Sequence, residues 1–149
     1  MISRVEVDAG VLGRLRGLAS RPYPDEGCGV LLGSLDAEGS VRIVDVTSAR
    51  NMIVERSRDR YDLDPADLLR ADREARDRGV DVVGIWHSHP DHPARPSAFD
   101  TERAWVDYAY VICSTNATGT ADVNVFALEG EGGVFQQVEL AIEEQAARP

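Results

Sequence analysis

The stretch Asp81-Val82-Val83-Gly84-Ile85-Trp86-His87-Ser88-His89-Pro90 sets the reading of the whole chain. Asp81 to Trp86 is a short, mostly apolar run rich in Val and Ile, which predicts a buried β-strand leading into His87. Side chains along a strand alternate faces, so His87 and His89 project to one side while Ser88 points to the other. Two imidazoles therefore converge on one point. Downstream, Pro90-Asp91-His92-Pro93-Ala94-Arg95-Pro96 turns the chain, and its three prolines limit the loop's conformations. Ser97-Ala98-Phe99-Asp100 can then return a carboxylate to the histidines. Three protein ligands leave one tetrahedral position open to water, which distinguishes catalytic zinc from the closed four-ligand structural kind.

Each of these residues has a plainer structural alternative. Ser97-x-x-Asp100 is also a capping box, with Ser97 as N-cap of a helix running to about Trp105. His87 and His89 taken singly are compatible with core histidines satisfied by hydrogen bonds. The carboxylate's distance from the His-x-His pair favours the metal site, and an Asp100 on the first helical turn is able to do both jobs. His92 is expected to be solvated. Cys28 and Cys113 are the only cysteines, each in an apolar run and outside any Cys-x-x-Cys pair, so both are read as packed free thiols.

Residue by residue, the pattern His-x-His, seven residues, Ser, two residues, Asp, with an upstream Glu, resembles the JAMM (MPN+) metalloproteases. His87, His89, Ser97 and Asp100 fill it without a gap, and Glu26-Gly27-Cys28-Gly29-Val30-Leu31-Leu32-Gly33 resembles the family's Glu-bearing entry into a strand. The second motif is highly specific and the first is weak alone. The resemblance implies that His87, His89 and Asp100 bind Zn2+, that Glu26 is the general acid/base, and that Ser97 stabilises the oxyanion. Apart from the resemblance, Glu26 reads equally well as a solvated carboxylate at a strand start. Amide hydrolysis needs a nucleophile, an oxyanion donor and a proton for the leaving amine, and metal, Ser97 and Glu26 supply one each.

The resemblance also implies a substrate. JAMM enzymes generally cut amide or isopeptide bonds at the C-terminus of ubiquitin-like proteins, and this short chain resembles the small prokaryotic type. Members with a start like Asp25-Glu26-Gly27-Cys28-Gly29 release cysteine or another adduct from a ubiquitin-like sulfur-carrier protein. The loop from Asn51 to Arg60 carries Arg56, Arg58 and Arg60, a local basic patch able to meet an acidic carrier, although a solvated loop is the plainer reading. Two rivals stand beside the peptidase. A non-haem Fe(II) enzyme also uses two histidines and a carboxylate but needs no glutamate base. A catalytically silent MPN scaffold normally lacks ligands that are all present here.

Composition narrows the class. A chain of 149 residues is near the usual size of one domain, so a single domain over residues 1–149 is expected. A net charge of −10 argues against a nucleic-acid partner, because phosphate binding draws on clustered Lys and Arg. No apolar run approaches the ~20 residues of a membrane helix, and the start, Met1 to Val7, lacks the apolar centre of a signal peptide. A cytoplasmic enzyme with reduced thiols is expected.

The remaining elements alternate. Ile2 to Val7 predicts a first strand and Asp8 the cap of a helix with apolar positions Val11, Leu12, Leu15, Leu18 and Ala19, weakened by Gly10, Gly13 and Gly17. Cys28 to Leu35 and Val41 to Thr47 predict a hairpin through Asp36-Ala37-Glu38-Gly39, and Tyr61 to Leu63 a short strand. Asp64-Pro65-Ala66-Asp67 starts a helix to about Arg78, stopped by Gly79. Tyr108 to Ser114, Val123 to Leu128 and Val134 to Leu140 add strands, and Ala141 to Ala147 is either a terminal helix or a frayed tail. The fold class is α/β (α+β), an MPN/JAB-like domain with a mixed, mostly antiparallel sheet flanked by helices.

Overall fold

The computed structural model describes residues 2–53, 61–102, 104–105, 107–128 and 133–144. Its elements run β1 (Arg4–Asp8), α1 (Ala9–Ser20), β2 (Cys28–Leu35), β3 (Ser40–Ala49), α2 (Pro65–Asp77), β4 (Asp81–Pro90), α3 (Ala98–Glu102), β5 (Ala109–Asn116), β6 (Gly119–Leu128) and β7 (Phe135–Glu143). The strands are ordered β1-β3-β2-β4-β5-β6-β7, and β7 returns to β1, closing the sheet into a barrel. Pairing is antiparallel for β2/β3, β2/β4, β5/β6 and β6/β7. It is parallel for β1/β3, β4/β5 and β1/β7. The expected α+β class with a mixed, mostly antiparallel sheet is the one found.

The two long helices lie on opposite faces of the sheet. α1 starts where the Asp8 carboxylate accepts from the Val11 N–H at 2.8 Å. It buries Leu12, Leu15 and Ala19 among Val5, Val41, Leu31, Trp86, Val111 and Val125. Gly13 and Gly17 have nothing near their missing Cβ atoms, so they sit off that buried face and their entropic cost is met by burial of the leucines. α2 starts at Asp64, whose side chain accepts from the Ala66 N–H, and ends before Gly79 at φ +72°. Its Ala71 and Ala75 pack over Val30, Leu32 and Ile85. Asp45 of β3 ties both helices down, pairing with Arg14 of α1 and Arg78 after α2.

Register puts the key strand between these layers. Gly29 and Trp86 are partners across β2/β4. Trp86 faces the α1 core and its indole N–H donates to the Thr47 carbonyl at 2.8 Å. A Cβ on Gly29 would lie 1.9 Å from that same carbonyl oxygen and 2.3 Å from the indole nitrogen. Glycine is required there by close approach.

Four expectations shift. β4 continues to Pro90 because the edge of β5 pairs with it as far as Thr115. The helix after Ser97 ends at Glu102, short of Trp105. Residues 141–143 extend β7, with Leu140 and Ile142 opposite Val5 and Val7, so no helix begins at Ala141; residues 145–149 lie outside the described set, as do Arg56, Arg58 and Arg60. Tyr61 to Leu63 forms only an isolated bridge, Asn51 to Leu63. Among the described residues, no helix is long and apolar enough to cross a membrane.

Gly29→Ala is expected to lower unfolding free energy by about 1–3 kcal/mol, the range for overpacking a tight site. Chemical denaturation checks this, and an unchanged midpoint would contradict the close-packing argument.

Candidate metal centre

Ile85, His87 and His89 share the sheet face that looks toward α2, while Trp86 and Ser88 face the other way. His87 is opposite Cys28 across β2/β4, so Glu26 sits just beyond the paired segment. Ser88 holds that junction. Its hydroxyl accepts from the Gly27 N–H at 2.7 Å, and its own N–H donates to the Gly27 carbonyl at 3.0 Å. A Cβ on Gly27 would lie 2.6 Å from the Pro22 ring, which explains the glycine after the glutamate. Asn51 supports the same point by donating its side-chain amide to the Glu26 carbonyl at 3.3 Å.

The loop after β4 is fastened at several points. Asp91 N–H donates to the Thr115 carbonyl, the Ser114 hydroxyl to the His92 carbonyl, and the Asn124 amide to the Ala94 carbonyl. Thus anchored to β5 and β6, the loop delivers α3. The Asp100 N–H donates to Ser97 Oγ at 3.1 Å and the Ser97 N–H donates to Asp100 Oδ2 at 2.9 Å, a complete capping box. The same Asp100 Oδ2 lies 3.2 Å from His87 Nε2 and 3.1 Å from His89 Nε2, and the two Nε2 atoms are 3.1 Å apart. One carboxylate thus completes the cap and also lies against both imidazole nitrogens.

Glu26 Oε1 is 4.0 Å from His87 Nε2. Ligand atoms of Glu26, His87, His89 and Asp100 all fall within 4.8 Å of one another, and all four residues are buried. Tetrahedral zinc bonded at 2.0–2.2 Å requires donor atoms about 3.3–3.5 Å apart, so the three-atom triangle needs little adjustment to take the ion. Two imidazoles and a carboxylate are also the donor types zinc accepts.

Charge in this cluster follows burial and contact. Burial pushes the His87 imidazole toward the neutral form, and Asp100 offsets this only in part. Burial acts in the same direction on His89, but Asp100 and the Pro93 carbonyl outweigh it and raise its affinity for a proton. Burial would raise Asp100, yet hydrogen bonds from both histidines hold its carboxyl well below the usual carboxylate range. An ionised Asp100 is the form that binds a cation.

Sequence reasoning missed Tyr61. Its ring stacks on His87 with centroids 4.4 Å apart and planes at 20°. Burial, then the charges of Asp100 and Glu26 among its neighbours, keep its phenol well above the ordinary value and hence neutral. No motif flags it, because the stack joins residues 26 positions apart, with α2 between them. His92 is exposed, as expected. A cleft of about 510 Å³, lined by Leu18, Pro22, Gly27 and Trp86 among others, includes Glu26 in its wall.

The family model for prokaryotic homologs of the JAB domain matches residues 8–127, which include Glu26, His87, His89, Ser97 and Asp100. The chain belongs to that family. A desampylase of Haloferax volcanii is 35% identical over 134 residues, covering 89% of each chain. A CysO-cysteine peptidase of Mycobacterium tuberculosis is 38% identical over 98 residues, covering 65% of this JAB chain and 64% of that protein. The solution structure of a Desulfitobacterium hafniense protein superposes with TM-score 0.80 at 26% identity, covering 95% of this chain and 94% of that one. The JAB membership accounts for the His/His/Asp/Glu cluster as a metal-binding site of the family's type.

Both cysteines of this JAB domain are buried and free. Burial, with Glu26 and Asp62 adding to it, pushes the Cys28 thiol up to about 12, and burial raises Cys113 to about 12 as well. Iodoacetamide at pH 8 is therefore expected to leave both unmodified in the native protein and to label both in denaturant. Mass measurement checks this; rapid native labelling of Cys28 would show that the Glu26 junction opens.

Proposed function

We propose that this chain is a zinc metallopeptidase that hydrolyses an amide or isopeptide bond at the C-terminus of a ubiquitin-like or sulfur-carrier protein, for example releasing cysteine. The observation that carries the reading is the convergence of His87 Nε2, His89 Nε2 and Asp100 Oδ2, 3.1–3.2 Å apart, beside a buried Glu26. The Haloferax desampylase and the mycobacterial CysO-cysteine peptidase support the substrate class. Two free buried thiols fit a reducing, cytoplasmic setting.

His87, His89 and Asp100 would hold the ion. Zinc bound there would bring the pKa of a water to roughly 7 and polarise the scissile carbonyl. Glu26 stays outside this triangle, takes the proton from the attacking water at its carboxylate, and passes it to the departing nitrogen. Burial of Glu26 keeps bulk water from competing for that proton. Ser97 supplies the oxyanion contact. Its Oγ accepts from the Asp100 N–H, which uses a lone pair and leaves the hydroxyl hydrogen free to donate toward negative charge developing on the substrate. The cleft on the Glu26 side offers room for residues flanking the scissile bond.

The test is incubation with ubiquitin-like carriers bearing a C-terminal extension, followed by mass measurement. Loss of the extension is expected with wild type, with a fall of about 10²–10⁴-fold in Glu26→Gln, the usual worth of a general acid/base. Ser97→Ala is expected to reduce kcat by about 10²–10³-fold, the scale for an oxyanion donor. Equal turnover by wild type and Glu26→Gln, or none by zinc-loaded wild type on any carrier, would overturn the peptidase reading.

A further inference from the structure

The two histidines are held in different ways. His89 Nδ1 lies 2.9 Å from the Pro93 carbonyl oxygen, an acceptor that fixes the ring tautomer and turns Nε2 toward the cluster. His87 Nδ1 is buried and has no hydrogen-bond partner among the described residues. Metal-binding histidines almost always donate their second N–H, so the plane of His87 must be set by something else. The Tyr61 ring lies nearly parallel to it at 4.4 Å, in a setting where Tyr61 is 9% and His87 1% exposed.

We propose that Tyr61 is a positioning residue for the metal: its ring face takes the place of the missing acceptor and holds His87 so that Nε2 points at the locus shared with His89 and Asp100. This rests on the metallopeptidase reading above. Asn51 fixes where Tyr61 sits. The Met52 N–H donates to the Asp62 carbonyl at 2.7 Å, the Asp62 N–H donates to Asn51 Oδ1 at 2.9 Å, and Asn51 bridges to Leu63. The same Asn51 amide donates to the Glu26 carbonyl, so one side chain at the end of β3 locates both the stacking ring and the glutamate. The phenol hydroxyl is not needed for this role. A flat ring is.

The experiment measures zinc affinity by chelator competition, and the visible absorption of the cobalt(II)-substituted protein, for wild type, Y61F, Y61L, Y61A and H87A. Thermal unfolding of each metal-free form reports folding separately. Y61F is expected to match wild type in both readouts, whereas Y61L and Y61A bind zinc about 10–100-fold more weakly and show altered cobalt bands, the scale for loss of an outer partner. Y61L fills most of the ring's volume, which keeps the test usable if Y61A does not fold. A folded Y61L with wild-type zinc affinity and cobalt spectrum would overturn the inference. So would Y61F losing as much affinity as Y61L, since the hydroxyl would then be the acting group. H87A binding zinc as tightly as wild type would instead overturn the metal site itself, which separates the two failures.

Discussion

The antiparallel register of β2 against β4 is the constraint from which the site follows. With Cys28 opposite His87, the two histidines leave the sheet on the α2 face and Glu26 lies just past the end of the paired segment. Slipping that register by one residue would send both imidazoles to the α1 face and bring Ser88 into their place. Close approach prevents such a slip. Gly29 admits the Trp86 indole against the Thr47 carbonyl, and the paired hydrogen bonds between Gly27 and Ser88 close the ladder at the glutamate. The middle residue of His-x-His therefore has a structural role of its own on the opposite face of the strand.

A second economy lies in Asp100. As the third residue past an N-cap serine it completes a capping box, and as a carboxylate at the mouth of the β4/β5 pair it faces two imidazole nitrogens. A capping aspartate is held in one rotamer by its backbone partner, which orders it before any cation arrives. The prolines of the preceding loop and its anchors on β5 and β6 work toward the same end. The cost of placing a buried negative charge is offset by hydrogen bonds from the two histidines.

Much of this was legible in the residues themselves. Period-two alternation from Ile85 to His89 placed the imidazoles on one face, and cap chemistry at Asp8 and Asp64 located both long helices. The spacing of Ser97 and Asp100 carried two meanings that no local rule could rank, because the geometry of the cap also sets the carboxylate against both histidines. What local pattern does not encode is pairing between distant segments. Closure of the barrel depends on β7 finding β1, and the strand character of Ala141 to Glu143 comes from that partner, since the segment's own composition suits a helix equally well. Tyr61 escaped for the same reason: its meaning lies in a ring contact with His87, with Asn51 bonded to its neighbour Asp62. Family membership, shown by the match over residues 8–127, is what lifts Glu26 from a buried carboxylate near two histidines to a member of a metal-binding cluster.

The central claim is that His87, His89 and Asp100 together hold one divalent ion beside Glu26. Crystals grown with one equivalent of zinc and measured at the zinc absorption edge address it directly. The account predicts a single strong anomalous peak within bonding distance of both Nε2 atoms and Asp100 Oδ2, with Glu26 outside that bonding distance. A peak that excludes Asp100, or one bonded to the Cys28 sulfur, would contradict it.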